Sequence, residues 1–239
     1  GSGTENIDCE YLKEKNIELI SSGEGNSNAV GEHALGLLLG LSKKITKANI
    51  EMKNGIRKRE ENRGFEIEGK TIGLIGYGKT GKSFAKKLSG FNCNIIFCDI
   101  KTNLGDNYAR EVKINELKET SDIISLHTNL NQSSRHIIDK QFIDDCKKSF
   151  CLINTARGEC VSNHDLIYGL ESDKIIGAGL DVLENENKDF EGIAVDQNLD
   201  KLKKFENVIL TPHIAGWSKE SKVKLAQVTV NKIKEFLDL

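Results

Sequence analysis

Thr71-Ile72-Gly73-Leu74-Ile75-Gly76-Tyr77-Gly78-Lys79-Thr80-Gly81 runs from five mostly apolar residues into three glycines spaced G-x-G-x-x-G. The apolar run is short and reads as a buried strand. Lys79 to Leu88 reads as the helix that follows. A second strand, Asn94 to Cys98, then ends at Asp99. A strand, a glycine turn, a helix and a second strand ending in an acid form a unit with a physical logic. Gly76 permits a tight turn, Gly78 lets backbone approach a pyrophosphate, and Gly81 lets helix and strand pack closely. The helix start, with Lys79 and Thr80 in its first turn, offers unpaired N–H groups to phosphates. Asp99 can accept hydrogen bonds from ribose hydroxyls and would repel a 2′-phosphate. NAD is therefore favoured over NADP, although Lys79 and Lys101 lie close enough to leave NADP open.

The same alternation continues outward. Strand candidates are Ile17–Ile20, Thr71–Ile75, Asn94–Cys98, Asp122–Leu126, Phe150–Ile153, Ile175–Leu180 and Val208–Leu210. Helix-like stretches between them include Lys79–Leu88, Ile114–Thr120, Lys140–Cys146 and Asn163–Glu171. Short apolar strands separated by helices predict an α/β fold, a doubly wound parallel sheet covered on both faces. Two further helices stand apart. Asn28–Met52 reads as one long helix, either a core helix or a subunit interface, with Gly36 and Gly40 allowing close helix–helix approach. Ser218–Leu237 carries an apolar stripe of Val223, Ala226, Val230, Ile233 and Leu237 at ordinary packing spacing.

Composition narrows the function. The 239 residues hold 34 Lys+Arg against 36 Asp+Glu, a net charge of -2, so neither a nucleic-acid surface nor a polybasic membrane patch is expected. At roughly 150 residues per domain this is one large domain, or one domain and part of another. The least polar stretch, Ala29 to Leu41, is too short and too charged to span a bilayer, and no signal peptide is read. The six cysteines include no C-x-x-C pair, so no metal site is expected. They read as free thiols in a reducing cytosol, most of them buried. The chain begins Gly1-Ser2-Gly3-Thr4 without methionine, as if a leading segment were removed or a longer protein shown in part.

Three polar groups fall at the carboxyl ends of the later strands, where an open α/β sheet binds ligands. They are Asn154-Thr155-Ala156-Arg157-Gly158, then Asp181 with Glu184 and Glu186 beyond it, and His213 within Thr211-Pro212-His213-Ile214-Ala215-Gly216. With Gly3-Thr4-Glu5-Asn6-Ile7-Asp8, Ala29-Val30-Gly31-Glu32-His33-Ala34, the glycine unit from Gly69, and Gly177-Ala178-Gly179-Leu180-Asp181-Val182, they occur in one order from residue 3 to 216. The chain resembles the D-isomer-specific 2-hydroxyacid dehydrogenases, the family that includes phosphoglycerate, glycerate and formate dehydrogenases.

The resemblance implies NAD-dependent hydride transfer between a D-2-hydroxy acid and a 2-oxo acid, with phosphoglycerate-type acids among the candidates, by a cytoplasmic homodimer. It implies that Arg157 pairs with the substrate carboxylate and carbonyl, a task suited to its fork of donors. His213 matches the acid/base, and Glu186 the carboxylate that orients it. Glu184 competes for that role, but the spacing from Asp181 favours Glu186. Asp181 matches the nicotinamide carboxamide contact, and His127, Thr155, Ala156 and Gly216 match positions near the cofactor. His127 reads equally well as a strand-end histidine. His33 reads as structural, and His136 and His164 carry no signal. Asn129 and Asn187 stand where the family often has proline, and Gly31 where it has alanine; these departures are expected to change loop stiffness only.

The domains predicted on this basis are a remnant of the substrate-binding lobe at 1–26, the nucleotide-binding domain at 27–211, and a C-terminal helix returning toward the lobe at 212–239. The family builds its lobe mainly from a longer N-terminal segment. NADH binding with little turnover is therefore expected of these residues alone. The competing reading is a dinucleotide-binding module or scaffold without turnover. Replacing Asp99 by Ala is expected to weaken NADH binding more than NADPH binding, followed by fluorescence titration of each cofactor. The opposite ranking would overturn the reading of Asp99.

Overall fold

The structure, a computed structural model, describes residues 3, 7–184 and 197–238. Its elements are α1 (Cys9–Glu14), α2 (Ser27–Ser42), α3 (Ile45–Lys53), β1 (Thr71–Ile75), α4 (Lys79–Leu88), β2 (Asn94–Cys98), β3 (Arg110–Glu111), α5 (Ile114–Thr120), β4 (Ile123–Leu126), α6 (Lys140–Asp145), β5 (Phe150–Asn154), α7 (Asn163–Glu171), β6 (Ile175–Leu180), α8 (Gln197–Leu202), β7 (Val208–Leu210) and α9 (Lys219–Phe236). The strands form one sheet in the order β3-β2-β1-β4-β5-β6-β7, and every pairing is parallel. This is the doubly wound architecture that the strand spacing predicts.

Alternation along the strands builds two cores. Ile72 and Leu74 of β1, Ile123 of β4 and Ile153 of β5 pack with Leu38 of α2 and Phe84 and Leu88 of α4. Ile124 and Leu126 of β4 and Leu152 of β5 face the other way, onto Phe142 of α6 and Leu166 of α7. With both faces covered, the central strands β4 and β5 are buried along their whole length. On α4, Gly81, Phe84, Ala85 and Leu88 repeat at helical spacing and are buried, while the lysines between them lie outside or at the edge of that stripe.

The structure departs from the sequence reading in several places. The long helix is two helices: the chain leaves α2 at Lys43 and turns at Lys44, whose φ of 52° is left-handed, before α3 begins. Helical periodicity continues through this break, which is why the pattern hides it. α2 is a core helix, with Ala34 and Leu38 buried, whereas α3 exposes Ile45, Ile50 and Met52. The close helix crossing lies at neither Gly36 nor Gly40. A Cβ on Gly36 would meet nothing within 4 Å, and one on Gly40 would meet the side chain of Ile209. It lies at Gly31, where a Cβ would stand 2.7 Å from Ser83 Oγ of α4, so Gly31 sets a helix contact rather than a loop's stiffness.

Ile17–Ile20 forms no strand. Ile17 and Leu19 are exposed, so the apolar run buries no face against the described residues. Cys9 is exposed too, unlike the buried Cys146, Cys151 and Cys160, and all six cysteines are free. The proposed packing stripe of α9 is on the outside: Val223 is 70% exposed, and Val230, Ile233 and Leu237 are exposed as well. α9 instead meets the body at Leu225, whose backbone would lie 2.6 Å from a Cβ on Gly25, and at Lys232, whose Nζ donates to the Ser21 carbonyl at 2.6 Å. Ser218 caps the helix reciprocally with Ser221.

These placements separate two substitutions. Leu38→Ala is expected to lower stability by about 2–5 kcal/mol. Val223→Ser should stay within about 0.5 kcal/mol of the parent. Urea unfolding of both variants measures the contrast, and a large loss for Val223→Ser would mean that α9 packs through its stripe.

Candidate functional site

β1, β4, β5, β6 and β7 are consecutive neighbours in the sheet. Because all are parallel, the loops leaving their carboxyl ends share one rim. The glycine turn leaves β1, His127 leaves β4, Thr155–Arg157 leaves β5, Asp181 leaves β6 and His213 leaves β7. The sequence-predicted groups are thus brought together by topology rather than by proximity in the chain.

The glycine turn is built as its pattern predicts. Gly76 has φ 94°, and a Cβ there would stand 2.6 Å from the His127 carbonyl oxygen. A Cβ on Gly81 would stand 2.4 Å from the Gly76 carbonyl oxygen, so α4 and the turn touch backbone to backbone. Around Gly78 nothing lies within 4 Å of the Cβ position, and Gly78 is the N-cap of α4 without a side-chain cap. The start of the helix therefore combines uncapped N–H groups with open space, the requirement for a phosphate. Lys79 is paired with Glu24, and Thr80 is half-buried in the same turn.

Asp99 is tied to this turn. Its Oδ2 accepts the Tyr77 N–H at 2.7 Å and its Oδ1 the Lys101 N–H at 2.9 Å. A carboxylate oxygen can accept more than one hydrogen bond, so Asp99 can position the turn and still receive hydroxyls. The Tyr77 ring is buried against Phe97 at 3.9 Å between centroids. Its hydroxyl donates to Asp106 Oδ1 at 2.8 Å. Burial first, and the nearby Asp106 second, raise the Tyr77 pKa, so this hydroxyl stays protonated.

Two buried polar atoms on the rim have no hydrogen-bond partner among the described residues: His127 Nδ1 and Thr155 Oγ1. They follow adjacent strands, since Leu126 pairs in register with Asn154. Buried polar groups are nearly always hydrogen-bonded, so a pair left open at a binding edge fits the polar groups of a dinucleotide. His127 Nε2 lies 2.9 Å from Ser125 Oγ, and burial pulls the His127 pKa down to about 3. The ring is thus neutral and cannot act as a cation here.

Arg157 sits on a loop closed by Asn154, whose side chain accepts the Ala156 N–H at 3.0 Å and donates to the Arg157 carbonyl at 2.9 Å. One guanidinium nitrogen of Arg157 donates to the Ala156 carbonyl at 2.7 Å. Gly158 brings this loop against the one leaving β6: a Cβ there would fall 1.8 Å from the Leu183 carbonyl oxygen. Neither Asn154 nor Gly158 was singled out from sequence, although both belong to the quoted Asn154–Gly158 run.

Asp181 anchors the loop that carries His213. Its Oδ1 accepts the Thr211 hydroxyl at 2.6 Å and the Ile214 N–H at 2.9 Å, and its Oδ2 accepts the Ala215 N–H at 2.7 Å. Its backbone carbonyl accepts the His213 N–H at 2.8 Å. These bonds hold His213 in left-handed backbone, φ 55°. Burial works against the charged form of Asp181, but His33, Thr211 and the two N–H groups outweigh it and hold its pKa below the usual range. Gly216 lies against Asn26, 2.6 Å from the Cβ position to Asn26 Nδ2, so its smallness serves that contact.

The competing carboxylate is engaged elsewhere. Glu184 Oε1 lies 2.6 Å from His136 Nε2, and its Oε2 accepts the Asn163 N–H at 3.0 Å. Glu186 lies outside the described residues. Among the described residues no cluster of His, Cys, Asp and Glu is placed to hold a metal ion.

Comparison with known proteins follows the same lines. The sequence model for D-isomer specific 2-hydroxyacid dehydrogenase, NAD binding domain, matches residues 35–215. The chain is 35% identical to a hydroxypyruvate reductase of Thermotoga maritima, over 98% of this chain and 74% of that protein. It is 34% identical to a D-3-phosphoglycerate dehydrogenase of Methanocaldococcus jannaschii, over 99% of this chain and 44% of that protein. The D-lactate dehydrogenase of Aquifex aeolicus, solved with NAD and lactic acid, superposes with a TM-score of 0.85 at 31% identity. That superposition covers 99% of this chain and 74% of the other.

The neutral His127 has a measurable consequence. Unfolding releases it to an ordinary imidazole pKa near 6.5, so between that value and about 3 the unfolded chain binds one more proton at this site. Stability from this group is complete above the unfolded value and is lost as pH falls. In urea unfolding from pH 6 to pH 4, His127→Asn should flatten the decline by about 1 kcal/mol per pH unit relative to the parent. Parallel pH profiles would show that His127 is charged in the folded protein.

Proposed function

The chain belongs to the D-isomer specific 2-hydroxyacid dehydrogenase family, and we propose that it interconverts a small D-2-hydroxy acid and its 2-oxo acid with Arg157, Glu186 and His213. The observation that carries this reading is the shared rim. An open glycine turn follows β1, and an arginine loop and a clamped histidine turn follow β5 and β7. NAD, the family's cofactor, supplies or accepts the hydride when bound. The turn at Gly76, Gly78 and Gly81, with Lys79 and Thr80, would hold its pyrophosphate, and Asp99 its ribose. His127, Thr155 and Ala156 would border it further along the rim, with Gly216 at the far loop.

The chain's own groups then have separable tasks. Arg157 holds the substrate carboxylate and polarises the carbonyl with its planar donors. His213 gives a proton to the carbonyl oxygen in reduction and takes one from the hydroxyl in oxidation. Glu186 orients the His213 ring and favours its protonated form. Asp181 sets the backbone beneath His213; its Oδ2 takes one N–H from the turn and keeps capacity for a carboxamide donor.

The substrate class draws on the relatives' names, among them hydroxypyruvate reductase and D-3-phosphoglycerate dehydrogenase. We assign residues 1–26 to the substrate-binding lobe, 27–211 to the nucleotide-binding domain and 212–239 to the returning segment. A second reading, a dinucleotide-binding module without turnover, draws on the exposed apolar faces of α9 and of the segment around Ile17. We propose a cytoplasmic location, which fits the free cysteines. A homodimer would cover the exposed Ile45, Ile50 and Met52 of α3.

Two measurements check these proposals. NADH consumption with phosphohydroxypyruvate, hydroxypyruvate and pyruvate should be slow with these residues alone, and the turnover that is detected should fall further, by up to about 10²–10⁴-fold, in His213→Ala. Binding of NADH with no turnover of any 2-oxo acid would select the binding module instead, and full activity in His213→Ala would remove that residue from the chemistry. Light scattering at micromolar concentration should give a dimer mass, shifted toward monomer by Ile50→Glu; a monomer mass for the parent would rule the dimer out.

A further inference from the structure

His33 lies on α2, far in sequence from every residue given a chemical role above, yet its ring reaches the anchor of the His213 loop. Its Nε2 stands 2.9 Å from Thr211 Oγ1 and 3.4 Å from Asp181 Oδ1. The reach depends on β6. Gly177 and Gly179 leave that strand flat where α2 crosses it: a Cβ on Gly179 would stand 2.9 Å from Leu37 Cβ. α2 therefore sits close to the sheet, and His33 overhangs the carboxyl end of the same strand, where Asp181 begins the loop.

Proton counting fixes the direction of these bonds. The Asp181 carboxylate, held in its charged form, can only accept. The single Thr211 hydroxyl proton goes to Asp181 Oδ1 at 2.6 Å. Thr211 Oγ1 must then accept from His33, so His33 Nε2 carries a proton. A directed chain results: His33 donates to Thr211, and Thr211 donates to Asp181. Asp181 in turn accepts the backbone N–H groups of Ile214 and Ala215 on the far side of His213.

We propose that His33 is a positioning residue for the reaction: through Thr211 and Asp181 it holds the left-handed turn that presents His213. The proposal rests on the reading of His213 as acid/base. It adds a residue on α2 that touches none of the reacting groups. Left-handed backbone is unfavourable at a non-glycine residue, so the turn persists only while its anchor is complete. Loss of the His33 donor leaves Thr211 Oγ1 and Asp181 Oδ1 with one partner fewer at a buried carboxylate. The glycine turn, which lies across the rim after β1, does not share these bonds.

The test compares the full chain with His33→Leu, which removes the donor, His33→Gln, which restores a side-chain N–H, and Thr211→Val, which keeps shape and removes the relay. Amide hydrogen exchange of Ile214 and Ala215 should quicken about tenfold in His33→Leu and Thr211→Val and return close to the parent rate in His33→Gln, as loss and recovery of one hydrogen bond predict. NADH affinity by fluorescence titration should stay within about twofold in all three, because the pyrophosphate turn is untouched. Where turnover is measured, kcat should fall with KM nearly unchanged, and His33→Gln should rescue it. Parent-like exchange in both His33→Leu and Thr211→Val would overturn the proposal, as would failure of His33→Gln to rescue. If His33→Leu does not fold, Thr211→Val and His33→Gln still decide it. Full activity of His213→Ala would instead refute the acid/base reading and leave the exchange result standing, so the two failures are distinguishable.

Discussion

A buried carboxylate at the end of β6 is the constraint on which the reacting half of the site depends. Asp181 is 1% exposed, and an unpaired charge so placed would be strongly unfavourable. The chain satisfies it with the Thr211 hydroxyl, two backbone N–H groups and the His33 ring. Each donor comes from a segment that must be in place for the site to exist: α2, the end of β7, and the turn beyond it. The need to solvate one charge internally thereby sets where His213 sits. A loop held by its own backbone N–H groups has little freedom to wander, which suits the acid/base role proposed for His213.

The cofactor half obeys a different constraint, backbone contact without side chains. Gly76 and Gly81 bring β1, α4 and the His127 carbonyl into contact, and Gly78 leaves the approach open. The neighbouring ion network links this turn to the chain's two ends. Glu24, just before α2, binds Lys79 of α4 and Lys232 of α9. The bonds from Lys232 and then Lys79 pull the Glu24 pKa down to about 2. These side chains are partly exposed, so the network orients α9 more than it stabilises the fold.

Much of the fold was legible because its signals are local. β1 and α4 follow from a strand-length apolar run, three glycines and a buried stripe at Gly81, Phe84, Ala85 and Leu88. The same holds for Asn163–Glu171, where Ser162 caps the helix. What escaped reading is set by tertiary context. The break at Lys44 leaves the apolar period intact. β3, only Arg110–Glu111, exists through pairing with β2. The α9 stripe has helical spacing, but spacing cannot say which face finds a neighbour. His33 looked like a helix histidine because its partners, Asp181 and Thr211, meet it only after the sheet has formed. Glu184 and Glu186 were separated by spacing alone; the geometry adds that Glu184 is held by His136 and the start of α7.

In the proposed site one rim holds the dinucleotide and the 2-hydroxy acid together. A crystal structure of this chain grown with NADH tests it most directly. The account predicts the pyrophosphate against Gly78 and the first turn of α4, the ribose at Asp99, and the nicotinamide end toward Thr155 and His213. NADH bound elsewhere on the sheet, or bound with its nicotinamide away from the Arg157 and His213 loops, would contradict it.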